Sequence, residues 1–324
     1  MGNWLLLIGG ILLVVMLLLV VGLFYLNRWA QFYVDAAVDR ENDWFATAGA
    51  DLFDQAWQQR TDEEDLADAT FWLQEKTWRI TSEDRLQLVA AAFTQPGHRW
   101  VIALHGYRST GFQDMNDVAQ VYYEKGYNVL VPDLRGHGRS EGQIIGLGWL
   151  DRLDLLQWIE AILAQDATAE ILLHGCSIGG DSALMASGEK LPPQVKLIIA
   201  DSSFTSVYSE FKWLLRRYTK YPVSRFMVLA NRYARRKVGY SLIQASVTRQ
   251  LGSNHLPILL LHGQADQFVP VKELAALAKA SAGPAETRTF AECGHLEAKE
   301  KKATEYWDAV FAFIQQYTNE IIED

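Results

Sequence analysis

Ile171-Leu-Leu-His-Gly-Cys-Ser-Ile-Gly-Gly180 joins a short apolar strand to a glycine-rich turn, and an apolar helix begins directly after the turn. The turn has the pattern Gly175-x-Ser177-x-Gly179. In a sharp strand-to-helix turn the glycines avoid clashes of Cβ atoms, and the serine hydroxyl is raised above the sheet. The N-terminus of the following helix also favours developing negative charge. The pattern therefore predicts that Ser177 is a nucleophile.

Short apolar runs alternate with amphipathic segments on both sides of this turn. The predicted strands are residues 78–80, 86–93, 100–104, 127–131, 171–173, 195–200, 258–261 and 288–290. The predicted helices are about 114–125, 149–164, 178–188, 271–280 and 302–317. This alternation predicts an α/β fold, with a mostly parallel sheet and helices on both faces. Residues 204–252 have no clear strand, and we expect them to form a helical cap inserted over the sheet.

A serine hydroxyl needs a base to become an effective nucleophile. His295, in Glu292-Cys-Gly-His295, follows the last predicted strand, and Asp266 follows the strand at 258–261. Both positions lie where loops leave a parallel sheet, so an aspartate can orient the imidazole of a histidine. The chain order Ser177, Asp266, His295 is the order expected for a strand–turn–helix nucleophile. Asp266 in an ordinary turn or helix cap is the alternative, with Asp201 as the reserve candidate for the acid.

An acyl-transfer site also needs two hydrogen-bond donors for the oxyanion. The main-chain N–H of Ile178, directly after the predicted nucleophile, is the first candidate. The second is the N–H of Tyr107, in the glycine-containing loop after the strand at 100–104.

The segments LHGYRSTG, VPDLRGHGRSEG, HGCSIGG, DSSF, LHGQADQFVP and ECGH together resemble the α/β-hydrolase superfamily. The likeness covers about residues 76–318 and is greatest to bacterial membrane-anchored hydrolases of the serine-aminopeptidase/lysophospholipase-like branch. It implies an eight-stranded sheet with the α/β-hydrolase fold and a cap between the sixth and seventh strands. It further implies hydrolysis without a cofactor through an acyl-serine intermediate. On the matching positions Ser177, Asp266 and His295 are the triad, and Tyr107 and Ile178 form the oxyanion hole.

Residues 4–26 carry no charge, and as a helix they extend about 34 Å, slightly more than the hydrocarbon core of a bilayer. No Lys or Arg precedes the run, whereas a signal peptide usually begins with basic residues. We therefore expect an uncleaved, single-pass transmembrane helix within an anchor at 1–29. Arg28 and Arg40 alone do not fix the side of the membrane on which the rest of the chain lies.

Charge is unevenly distributed along the chain. Residues 30–75 read as an acidic, helical connector, with 12 acidic residues and only two arginines between Asp35 and Glu75, and the hydrolase domain follows at 76–324. Between Phe211 and Gln250 there are 10 Lys or Arg residues, interleaved with aromatics, and no acidic residue. This basic cap predicts contact with anionic lipid near the anchor. Pairing with the acidic connector, or an ordinary solvated surface, is the alternative.

Composition excludes several classes of protein. The formal net charge of -9 argues against a nucleic-acid binder, and the two cysteines fit neither a disulfide framework nor a zinc motif. No metal site is therefore expected, and the resemblance implies that no cofactor is needed. The cap also lacks, in this interpretation, a carboxylate to hold the ammonium of a peptide substrate. The leading hypothesis is a serine hydrolase of small-molecule acyl esters or thioesters. A serine-aminopeptidase-type peptidase and a non-catalytic, membrane-tethered binding module remain alternatives.

Overall fold

The computed structural model describes residues 2–42, 44, 70–218 and 223–318. Its strands are β1 (Lys76–Thr81), β2 (Gln87–Phe93), β3 (Arg99–Leu104), β4 (Asn128–Pro132), β5 (Glu170–Cys176), β6 (Val195–Asp201), β7 (Ile258–Gly263) and β8 (Ala285–Phe290). The helices are α1 (Gly2–Val38), α2 (Gly111–Glu124), α3 (Asp151–Gln165), α4 (Ile178–Ala186), α5 (Val207–Tyr218), α6 (Ser224–Lys237), α7 (Val247–Leu251), α8 (Lys272–Ala280), α9 (Ala298–Lys301) and α10 (Ala303–Thr318).

The strands form one eight-stranded sheet in the order β1-β2-β4-β3-β5-β6-β7-β8. The pairs β1–β2 and β2–β4 are antiparallel, and the remaining neighbours are parallel. The predicted fold class is confirmed, including the mostly parallel sheet and the helices on its faces. Because parallel strands end at the same edge, the loops after β3, β5, β6 and β7 meet above one rim of the sheet.

Two apolar layers cover the faces of the sheet, and alternate residues of each strand contribute to opposite layers. In β3, Ile102 and Leu104 face a layer that includes α3, α4, the cap and the end of α1. Val101 and Ala103 face the second layer, which contains α2 and α10. The near-continuous apolar runs of the central strands follow from this burial on both faces.

The helix α1 has two parts that differ in burial. Side chains from Trp4 to Tyr25 are exposed, and the stretch Trp4–Val38 is long and apolar enough to cross a membrane. Burial begins at Ala30, and Val34 and Ala37 belong to the core of the globular region. The helix does not break between the two parts.

Helices α5, α6 and α7 lie between β6 and β7 and form the predicted cap. Residues 219–222 within it lie outside the described residues, as do 43 and 45–69 of the predicted acidic connector. The described part of that connector begins as the last turns of α1, and its boundaries, like those of the other predicted domains, stay a prediction.

Several element boundaries differ from expectation by up to three residues, and two of the differences have local reasons. The helix α2 begins at Gly111 rather than about residue 114, because Thr110 caps it by accepting a hydrogen bond from the Gln113 N–H at 3.2 Å. The edge strand β8 begins at Ala285 rather than residue 288. Its charged, largely exposed residues hide the apolar signal that a buried strand gives.

Candidate active site

Ser177 occupies the sharp turn between β5 and α4. Its φ of 49° and ψ of −123° lie in a region that residues other than glycine rarely adopt. A main-chain hydrogen bond stabilises the strained turn, since the Ser177 N–H donates to the main-chain oxygen of Asp201 at 2.8 Å. Such a conformation is the hallmark of a nucleophile elbow.

The two glycines of the motif are required by close approaches of the main chain. A Cβ atom on Gly175 would lie 2.4 Å from the carbonyl carbon of Gly179. A Cβ atom on Gly179 would lie 2.2 Å from the Leu104 oxygen at the end of β3. Both glycines are therefore required because α4 packs closely against the ends of β5 and β3.

The structure brings Asp266 and His295 together although 29 residues separate them. Nδ1 of His295 donates to Oδ2 of Asp266 at 2.8 Å, while Oδ1 accepts from the N–H groups of Phe268 and Val269 at 2.8 and 2.9 Å. Burial would raise the pKa of Asp266, but the charge and hydrogen bond of His295 and the hydrogen bond of His262 hold it well below its ordinary value. Asp266 is therefore an ionised, fully bonded partner for the imidazole.

Phe268 is the residue that links His295 to the cavity containing Ser177. The ring of Phe268 lies 5.0 Å, centroid to centroid, from the His295 ring, and Phe268 and Ser177 line one cavity. No hydrogen bond joins the Ser177 hydroxyl to His295 among the described residues. Contacts of this kind are often long in hydrolases and shorten in the substrate complex. The complete triad therefore stays a prediction.

Asp201, the reserve candidate for the acid, is buried at the end of β6. Its Oδ1 accepts from the Ser202 hydroxyl at 2.9 Å, and burial raises its pKa. Within the described part of the chain it makes no hydrogen bond to a histidine, so His295 is oriented by Asp266.

In the loop after β3, the N–H groups on both sides of Tyr107 are bonded. The Gly106 N–H donates to Asp114 Oδ2 at 2.8 Å, and the Arg108 N–H donates to His137 Nε2 at 3.1 Å. The intervening Tyr107 N–H has no partner among the described residues, and Tyr107 and Ile178 both line the cavity. This arrangement is compatible with the predicted pair of oxyanion donors, which stays a prediction.

The cavity beside Ser177 is apolar. Its wall includes Phe204, Val207, Phe211 and Leu214, which follow β6 or belong to the cap helix α5. Such a lining suits the hydrocarbon part of a substrate. In the described ranges, no group of three or more His, Cys, Asp or Glu side chains is arranged to hold a metal ion.

Glu210 in the cap is a pocket residue that the sequence reasoning missed. It is 5% exposed, lines the cavity, and its Oε1 has no hydrogen-bond partner within the described residues. Burial raises its pKa well above the ordinary value, and nearby acidic groups including Asp266 add to the shift. The expectation that the cap offers no carboxylate was wrong. The stretch without acidic residues begins at Phe211, and Glu210 directly precedes it within the cap.

Tyr33 and Ala37 of α1 also line the cavity, which the sequence reasoning did not anticipate. Their spacing of four residues places both on one face of the helix. The sequence offered one signal for this role: an aromatic and a small residue lie four positions apart, just after the apolar run.

The basic cap contacts the acidic residues that follow the apolar run. Lys237 lies 3.4 Å from Asp35 and 2.9 Å from Asp39, and the Tyr233 hydroxyl donates to Asp35 at 2.9 Å. These contacts favour, in part, the alternative in which the cap pairs with the connector. The following basic residues of α6 are exposed and form no ion pair with any described residue: Arg225, Arg232, Arg235 and Arg236.

A model of the prolyl oligopeptidase family matches residues 113–320. YqkD, an uncharacterized protein of Bacillus subtilis, is 24% identical over 165 residues, covering 51% of this chain. The alignment spans only about half of YqkD, 54% of its length. YfhR, an uncharacterized protein of Salmonella typhimurium, is 26% identical over 241 residues, and the alignment covers 70% of this chain and 75% of YfhR.

Solved structures share the fold at low sequence identity. The Pyrococcus furiosus esterase Pf2001 superimposes with a TM-score of 0.62 at 23% identity, covering 78% of this chain and 93% of the esterase. The acylaminoacyl peptidase of Pyrococcus horikoshii gives a TM-score of 0.57 at 16% identity, covering 77% of this chain and 42% of the peptidase. The fold and the family match support a serine hydrolase. The chain belongs to the prolyl oligopeptidase family, within the α/β hydrolases.

Proposed function

We propose that the protein hydrolyses carboxylic esters or thioesters through an acyl-serine intermediate, with Ser177 as nucleophile, His295 as base and Asp266 as acid. The observation that carries the proposal is the 2.8 Å bond between Asp266 and His295, and the φ of 49° at Ser177 supports it. An apolar cavity at that serine supports a substrate with an acyl chain.

In the proposed reaction, Nε2 of His295 takes the hydroxyl proton while Ser177 Oγ bonds to the acyl carbon. The carbonyl oxygen becomes an oxyanion that accepts hydrogen bonds from the Tyr107 and Ile178 N–H groups. The bond to the leaving alcohol or thiol then breaks, and His295 returns its proton to that group. Water attacks the acyl-serine, His295 takes one proton of the water, and the carboxylic acid is released as Ser177 regains its proton.

Replacement of Ser177 by Ala tests this proposal directly. We expect loss of p-nitrophenyl ester hydrolysis and of labelling by a fluorophosphonate, with unchanged thermal unfolding. Ser187→Ala is the matched control, because Ser187 is a buried serine that follows the other end of α4. Full turnover in the Ser177→Ala protein would refute the proposal. Absence of labelling in the wild type would favour the non-catalytic binding module.

A peptidase is the second candidate, favoured by one observation. Glu210 places a carboxyl group in the cavity, where it can pair with the ammonium of a peptide substrate. Comparison of amide and ester substrates with the same acyl group separates the two functions. Burial raises the pKa of Glu210 well above its ordinary value and so disfavours the carboxylate that an ammonium would need; ester hydrolysis is therefore the leading proposal.

We further propose that α1 is a single-pass anchor and that the exposed arginines of α6 lie on anionic lipid. The exposed apolar half of α1 and its unbroken continuation into the domain support this proposal. The anchored protein should stay in the membrane fraction after alkaline carbonate extraction. Replacing Arg235 and Arg236 by Gln should reduce activity in bilayers with anionic lipid but not in zwitterionic ones.

A further inference from the structure

The second half of α1 packs into the globular region, and Tyr33 and Ala37 lie on one of its buried faces. The Tyr33 hydroxyl donates to the Phe211 oxygen at 3.0 Å, and the Tyr33 ring makes edge contacts with Phe211 and Phe226 at 5.6 Å. Tyr33 is only 4% exposed and Ala37 only 3%. These residues are therefore enclosed between the cap and the rim of the sheet.

The same face forms a wall of the cavity that contains Ser177. Tyr33 and Ala37 line that cavity together with Phe211 and Leu214 of α5. The side chain at position 37 is a single methyl group, so any larger residue there would extend into the space beside the serine. The length of apolar chain that the cavity accepts therefore depends on α1 as well as on the cap.

The end of α1 is also bonded to the loop that holds the predicted oxyanion donor. The Tyr107 hydroxyl donates to the Ala37 oxygen at 2.8 Å. The Arg108 guanidinium donates to the main-chain oxygens of Ala36, in the last turn of α1, and of Asp39, directly after the helix, each at 2.9 Å. Arg108 has a φ of 55°, a strained conformation that these bonds help to hold.

We propose that the buried face of α1 that carries Tyr33 and Ala37 is part of the substrate site: these two residues contact the acyl chain and set the length accepted, and Ala37 positions the oxyanion loop through Tyr107. This inference rests on the proposed acyl hydrolysis and extends it. The N-terminal helix then has a role in turnover that is separate from any role in membrane attachment.

The first test is an acyl chain-length series of p-nitrophenyl esters with the full-length protein in detergent micelles. Ala37→Leu adds bulk to the wall and should shorten the preferred chain by about two to three carbons, because hydrophobic pockets discriminate single methylene groups. Tyr33→Leu removes the ring and should lengthen it. Opposite shifts from two variants are not expected from general destabilisation. Phe32→Leu is the matched control, since Phe32 is exposed on α1 and should leave the profile unchanged.

The second test separates positioning from packing. Tyr107→Phe keeps the main-chain donor and the ring but loses the bond to Ala37 and the bond accepted from Arg108 Nε, so kcat should fall about 10-fold with KM nearly unchanged. If the wild type hydrolyses esters while both pocket variants keep its chain-length profile, or Tyr107→Phe keeps its kcat, the inference is overturned and the proposed function stands. If the wild type hydrolyses no ester of any length, the proposed function fails and this inference with it.

Discussion

His262 places its Nε2 atom 3.2 Å from Oδ2 of Asp266, the same carboxylate oxygen that accepts from His295. The His262 ring is fully buried, and Nε2 also lies 2.9 Å from the Val269 oxygen. Its Nδ1 atom has no partner among the described residues, so the ring bonds only through Nε2. The Nε2–H group of His262 thus bonds both to Asp266 and to the loop that contains Asp266.

Replacing His262 by Leu should lower kcat about 10- to 100-fold with little change in KM. The loss of one hydrogen bond to a charged group costs about 1.5–3 kcal/mol, and Asp266 would be less firmly held in the transition state. His262→Asn retains a donor and should recover part of the loss. His98→Leu is the histidine control, because that ring is 70% exposed at the surface and bonds to Asp166. Equal kcat in wild type and His262→Leu would contradict this positioning role.

Gly179→Ala should unfold or severely distort the elbow. The added methyl group would meet the Leu104 and His105 oxygens at 2.2 and 2.5 Å, and main-chain atoms there have no room to move. We expect a loss of about 2–4 kcal/mol in the free energy of unfolding, together with loss of fluorophosphonate labelling. Gly252→Ala is the control, because its nearest atom would be at 3.2 Å and its φ is −61°. Thermal unfolding of the two variants measures the difference.

Asp266→Asn should destabilise the protein in a pH-dependent way. The folded protein lowers the pKa of Asp266 from an ordinary value of 3.8, so the ionised carboxylate stabilises the fold at every pH above that value. This contribution is lost as the pH falls below about 4 toward the folded pKa. Wild type should therefore exceed the variant in stability at pH 7, and the gap should narrow below pH 4. Urea unfolding across this range measures it, and a constant gap would contradict the assignment.

Glu210→Gln tests what the buried carboxyl group in the cavity recognises. A substrate with a free ammonium would favour ionisation of Glu210, whose proton would be released to water, and would pair with the resulting carboxylate, whereas a neutral acyl group would not. If the protein accepts both, the ratio of kcat/KM for ammonium-bearing over neutral substrates should fall about 10-fold in the variant. Glu273→Gln, a nearby carboxylate that accepts from the Thr205 N–H, is the control. An unchanged ratio would argue against substrate recognition by Glu210.

The parts of the site that could be predicted from sequence are those that local chemistry fixes. Ser177 lies in a turn in which Gly175 faces Gly179 of the same motif, and Asp266 follows β7, a strand with a strong apolar signal. His295 follows β8, whose apolar signal is weak, and was predicted from the motif around it. Glu210 and Tyr33 carry no such signal. Their roles arise from packing of α5 and α1 against the rim of the sheet, and the Tyr33–Phe211 bond spans 178 residues of sequence.

The unbroken course of α1 has a kinetic consequence. For an enzyme anchored as proposed, a rigid rod rather than a hinge joins the bilayer to the catalytic rim, and Tyr33 lies about 10 Å along it from Leu26. The catalytic serine is then held at a constant height and explores its surroundings only by lateral diffusion. Encounters with lipid-borne substrates would depend on their number per unit area, so diluting them within the same membrane should slow turnover even when their total amount is unchanged.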